Sequence, residues 1–125
     1  MTRTLISIAI SLIFILAGSF FELYYVNNTF SVLRETLLSL YDKSESKLAT
    51  YEDGTAVQTF WESKKRNLQI FLPHTALLEI DYQLGEAVGF LYVQNYESVI
   101  PKLEILIAMS ENIPQAYTFG PENIF

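Results

Sequence analysis

Residues 5–26 read LISIAISLIFILAGSFFELYYV, and the placing of this stretch decides the fold. From Leu5 to Phe21 it carries no charge. Glu22 interrupts it, and Leu23, Tyr24, Tyr25 and Val26 extend it. A bilayer core requires about 20 mostly apolar residues in helical form. The run reaches that length when its aromatic end is included, with Glu22 near the headgroups. Lipid offers backbone amides no partner, so such a segment spans as a helix. Residues 1–26 are therefore predicted to be a transmembrane anchor, meeting the lipid bilayer through 5–26.

The flanking charges suggest an orientation. Arg3 precedes the run, and every acidic residue lies at or after Glu22. Lysine and arginine near a span favour the cytoplasmic side, and the next one after it is Arg34. The expectation is a single-pass protein of the cell membrane with a cytoplasmic N-terminus and an extracytoplasmic C-terminal domain. Tyr24 and Tyr25 suit an aromatic belt at the outer interface. The rival is a cleaved signal peptide, with Met1–Thr4 as its charged start and Leu5–Leu16 as its apolar centre. Ala17-Gly18-Ser19 would be the cleavage site. That rival would leave a secreted helical protein beginning on exposed aromatics. A third reading is a buried helix of a soluble protein.

Beyond the anchor, residues 27–125 suffice for one small domain. Half of the 125 residues are hydrophobic, too many for a disordered chain. The net charge of −6 does not attract nucleic acid or anionic lipid. The chain has no cysteine, which excludes a disulfide framework, thiol chemistry and a lipoprotein anchor.

In chain order, Phe30, Leu33, Leu37, Leu40, Tyr41 and Leu48 recur at helical spacing. No proline or glycine separates this stripe from the span, so one helix from about Thr4 to Thr50 is expected. A break at Asn27–Thr29 is the alternative; these residues also match a glycosylation acceptor. Tyr51–Thr55 is expected to be a turn around Asp53-Gly54, with Asp53 capping a helix over about 55–71. Trp61 is the chain's only tryptophan and falls on that helix's apolar side with Val57 and Leu68, which points to the core. The cluster Lys64-Lys65-Arg66 is expected to form a wet face, balancing Glu62 and Glu35; meeting headgroups is the other option. Three residues are too few for nucleic-acid binding.

Pro73 opens a third helix over about 75–92. Gly85 and Gly89 lie four apart within it, and close approach of a neighbouring helix would explain them. His74 is the only histidine. Glu79 and Asp81 are not at the i+4 position that would pair them with it for catalysis or metal binding. A cap or a hydrogen bond at the turn is the expected role. The fourth helix is predicted over about 96–117, with Val99, Leu103, Leu106, Ile113 and Tyr117 on its stripe and Ile100, Ile105 and Ile107 widening it. Pro101 suits N3 if Ser98 is the cap, and bends the helix if Asn95 is. Pro114 should kink or end it. The tail 118–125 closes on Asn123-Ile124-Phe125, which is expected to dock on the bundle, with Asn123 bonding a helix end. The fold class is thus all-α: a transmembrane helix continuing into a small antiparallel four-helix bundle over 27–125.

Several of these features together resemble the DUF4363 family of bacterial proteins. They are the apolar N-terminal segment, Trp61-Glu62-Ser63-Lys64-Lys65, His74 with Asp81 downstream, Leu103-Glu104-Ile105-Leu106, and the closing Glu122-Asn123-Ile124-Phe125. The resemblance covers nearly the whole chain; Pro101 and Pro114 depart from it. It implies a membrane-anchored helical protein and no catalytic residue, cofactor or ligand. It draws Trp61, His74, Asn123, Ile124 and Phe125 together as structural or interaction residues. The expected function is non-enzymatic: a helical module that binds an envelope protein or supports an envelope assembly. A ligand-binding or sensing domain is the alternative, and an enzyme built on His74 is a weaker one.

Overall fold

The computed structural model describes residues 1–117. They form four helices: α1 (Thr2–Glu45), α2 (Tyr51–Leu68), α3 (His74–Tyr92) and α4 (Tyr96–Tyr117). Successive helices run antiparallel, and α1 closes the ring against α4. The expected continuous first helix is present. No break occurs at Asn27–Thr29, because Val26, Thr29, Phe30 and Leu33 lie on one buried face and packing outweighs poor local propensity.

The two halves of α1 differ in surroundings. The apolar half is wholly unpacked, and it is long and apolar enough to cross a membrane. The other half is a bundle helix, with Leu37 and Leu40 also buried. Val26, the last residue of the apolar run, is already 0% exposed and belongs to the bundle core. The core adds Val57, Trp61 and Leu68 from α2, Leu77, Ile80, Leu84 and Leu91 from α3, and Val99, Leu103 and Leu106 from α4. Each set recurs every three or four residues, which turns one face of each helix inward.

The end of the bundle distal to the apolar half of α1 holds the turns 46–50 and 93–95. Both are closed by residues in the left-handed region, Lys47 (φ 59°) and Gln94 (φ 58°). The amide of Leu48 reaches the Lys43 carbonyl (2.8 Å) and that of Asn95 reaches the Phe90 carbonyl (2.9 Å). These bonds cap α1 and α3 in the Schellman manner. The Tyr96 hydroxyl then ties the two turns together by donating to the Ala49 carbonyl (2.8 Å). Leu48, expected on the inner stripe of α1, is 71% exposed, because the helix ends at Glu45 and Leu48 lies in the turn.

Three further expectations are corrected. The turn predicted over Tyr51–Thr55 is the first turn of α2. Thr50 is the cap: its Oγ1 accepts from the Asp53 amide (3.2 Å), and Asp53 Oδ2 accepts from the Thr50 amide (3.0 Å). This reciprocal pair satisfies two helix-end amides at once. A Cβ placed on Gly85 or Gly89 would meet no neighbour within 4 Å, so close helix approach does not explain these glycines. The approach occurs instead at Gly54, where a Cβ would stand 2.7 Å from Leu91 Cδ1 and 3.1 Å from Val88 Cγ2.

In α4, Asn95 is the cap, its Oδ1 accepting from the Ser98 amide (3.3 Å). Pro101 and Pro114 both lie inside the helix, which ends at neither. Pro101 takes a donor from the Glu97 carbonyl, and both residues are exposed, so solvent can satisfy that oxygen. Ile105, expected to widen the inner stripe, is 43% exposed.

Candidate functional site

Trp61 lies where α2 crosses α1 and α3. It is 1% exposed, and its ring packs tilted against Phe30 at 6.1 Å between centroids. A buried indole requires an acceptor for its N–H. Asp81 supplies it: Nε1 donates to Oδ1 at 2.6 Å. The other carboxylate oxygen accepts from Lys65 Nζ at 3.0 Å. Lys65 also reaches Glu62, one turn earlier, at 3.2 Å. The hydrogen bond to Asp81 raises the Lys65 pKa above its usual value, with Glu62 adding to the effect.

Trp61, Lys65 and Asp81 thus form one partly buried polar cluster joining α2 to α3. Its groups satisfy one another, which makes it a clamp between helices. The sequence spacing of Trp61 and Lys65, four apart on one helix, was a readable sign of a shared face. The partner Asp81 was not, because it comes from the facing helix.

His74 begins α3 and is exposed. The capping role expected of it is not seen: Pro73 occupies the N-cap, and no side chain caps this helix. Asn123, Ile124 and Phe125 lie outside the described residues. Among the described residues, no group of three or more His, Asp or Glu side chains is placed to hold a metal ion.

The two ends of the bundle each offer a concavity. The distal one, ≈ 470 Å³, lies between the two tied turns and is lined by Leu48, Tyr51, Tyr92, Gln94 and Tyr96 among others. Tyr51 and Tyr92 meet edge to face at 5.3 Å. Leu48 and Tyr92 each leave 71% of their surface open there, and Val93, next to Tyr92 in the chain, is 65% exposed. The groove at the other end, ≈ 230 Å³, lies between α1 and the turn after α2, lined by Phe21, Tyr25, Asn67, Ile70 and Phe71. Asn67 donates to the Tyr25 hydroxyl (3.2 Å) and locks this end of α2 to α1. Periodicity did not single out either surface, since each joins helix ends to the turns beside them.

No protein-family model, curated protein or solved structure matches the chain, so the resemblance to the DUF4363 family rests on the quoted residues alone.

Proposed function

We propose that the protein is a non-enzymatic, single-pass membrane anchor bearing a helical bundle that presents its distal end to a protein of the cell envelope. The observation that supports this most is the unbroken α1. One helix supplies both the unpacked apolar segment and one side of the bundle core, so the bundle stands directly on the bilayer without a linker. The distal apolar surface around Leu48, Tyr92 and Val93 then faces away from the membrane, where a partner can reach it. Contiguous exposed apolar surface is a common mark of an interaction site.

Arg3 and the acidic remainder support a cytoplasmic N-terminus. Protease added to intact spheroplasts is expected to remove a tag placed after Phe125. A tag cut only after lysis overturns that orientation. A photo-crosslinking residue at Tyr92 is expected to give a defined adduct in cells that one at Tyr82, exposed on the bundle's flank, does not. Equal labelling from both positions overturns the distal site.

One observation favours a second reading. Cleavage after Ser19 would retain every core residue, since the core begins at Val26. The intact mass of the protein extracted from cells decides between an anchored and a released bundle.

A further inference from the structure

The turn between α2 and α3, residues 69–73, lies at the end of the bundle nearest the apolar half of α1. Ile70 is 75% exposed at its tip. Next to it, the Phe71 ring packs on Tyr25 at 6.3 Å, and Tyr25 stacks on Phe21 at 6.1 Å. Ile70 and Phe21 line the same groove, so they lie at one level along α1.

That level can be placed against a membrane. A hydrocarbon core about 30 Å thick takes about 20 helical residues. Counted from Leu5, these end near Tyr24. Phe21 then lies at the outer edge of the hydrocarbon, and Ile70 beside it lies at the headgroup boundary.

Of the charges nearby, Glu22 beside Phe21 is acidic, while two on α2 have the sign that lipid phosphates attract. Lys64 and Arg66 lie on the last two turns of α2, about 9 and 6 Å of helix rise from Ile70. Neither has an ion-pair partner among the described residues, whereas Lys65 between them is held by Asp81 and Glu62. The headgroup layer is roughly 5–8 Å deep on each side, within the reach of both side chains. The whole chain is acidic, at −6, and against that background Lys64 and Arg66 are two cations without an ion pair among the described residues, near the apolar half of α1.

We propose that the α2–α3 turn is a second membrane contact, resting on the anchor reading above. Ile70 enters the headgroup–acyl boundary beside the span, and Lys64 and Arg66 engage lipid phosphates. The partner is the outer surface of the bilayer that α1 crosses. Two attachments, the span and the turn, fix the azimuth of the bundle about α1, and the distal end is presented at a fixed tilt.

The absence of cysteine allows single labels to be placed without further substitution. Full-length chains with Ile13→Cys, Ile70→Cys or Val93→Cys are spin-labelled and reconstituted alone into phosphatidylcholine vesicles, with or without phosphatidylglycerol. Trp61 fluorescence checks that each is folded. Electron paramagnetic resonance then compares collisions with oxygen and with a water-soluble nickel chelate. The label at 13 is expected deep in hydrocarbon and that at 93 in water. The label at 70 is expected several-fold less accessible to nickel than that at 93. Lys64→Glu with Arg66→Glu should return it towards water, most in the vesicles containing phosphatidylglycerol. A label at 70 as wet as that at 93, with 13 still deep, overturns the second contact and leaves the groove for a protein. A label at 13 in water overturns the anchor and this contact together.

Discussion

At the scale of single residues, glycine and tryptophan show how neighbours decide what a side chain does. Gly54 stands where a methyl would press on Leu91 and Val88. Gly54→Ala is expected to destabilise by about 1–3 kcal/mol through overpacking. Gly85→Ala and Gly89→Ala, exposed in α3 with open space, are expected to stabilise by about 0.5–1 kcal/mol each. Urea unfolding of the chain in detergent, followed by the fluorescence of its only tryptophan, measures all three. Opposite signs at 54 and at 85 and 89 support the assignment; the same sign refutes it. Trp61 offers a second residue-scale test. Trp61→Ala should cost about 3–5 kcal/mol for the lost ring. Trp61→Phe retains most of that packing but leaves Asp81 with one donor fewer, and should cost about 1.5–3 kcal/mol. Circular dichroism during unfolding reads both. If Trp61→Phe is neutral, the bond to Asp81 contributes nothing. The burial of Trp61 was legible from its place between Val57 and Leu68. Its bond to Asp81 was not, because periodicity places residues on faces and does not say which residues of two facing helices meet.

At the scale of elements, helix ends were the least legible part of the chain. Asp53-Gly54 has the composition of a turn, yet Thr50 three residues before Asp53 makes a capping box, and tertiary packing needs glycine just inside the helix. Thr50-Tyr51-Glu52-Asp53 was therefore the better signal, with aspartate in the place usual for glutamate. Similarly, Lys47 and Gln94 end α1 and α3 in a conformation that usually falls to glycine. The cap gives a pH prediction. The backbone amide of Thr50 is the main cause that holds the Asp53 pKa below the usual carboxylate range, and the Thr50 side chain and Lys43 also act in that direction. A group whose pKa is lower folded than unfolded stabilises the fold above its unfolded value, about 3.9. That contribution is lost as pH falls through the lower, folded value. Asp53→Ala is thus expected to cost about 0.3–1 kcal/mol near neutral pH. The gap from wild type should narrow as the pH falls below about 4. Melting curves of the two chains across this range measure it. A gap that stays constant down to the lowest pH means that the charge of Asp53 plays no part.

At the scale of the whole molecule, the all-α architecture and the place of the apolar run were legible because both depend on long, repeated patterns. Where the unpacked apolar run stops and the bundle starts was not, since Val26 is equally suited to lipid and to a protein core. The structure makes that boundary a property of packing: α1 enters the core at Val26, and Phe30 meets Trp61 one turn later. The bundle should consequently be indifferent to losing the unpacked apolar run and sensitive to losing the next two turns. A chain beginning at Leu23 retains Val26, Thr29 and Phe30, and its melting temperature should stay within a few degrees of that of the full protein. A chain beginning at Ser31 loses all three. A buried phenylalanine is worth about 3–5 kcal/mol, and a buried valine adds about 1.5 kcal/mol or more. At about 4–8 °C per kcal/mol for a domain of this size, the melting temperature should fall by at least about 15 °C. Equal melting of the two shortened chains would mean that α1 below Ser31 is only a tether. A large drop means that the two halves of α1 are not separable at Ser31, and that the helix carrying the apolar run is built into the bundle core.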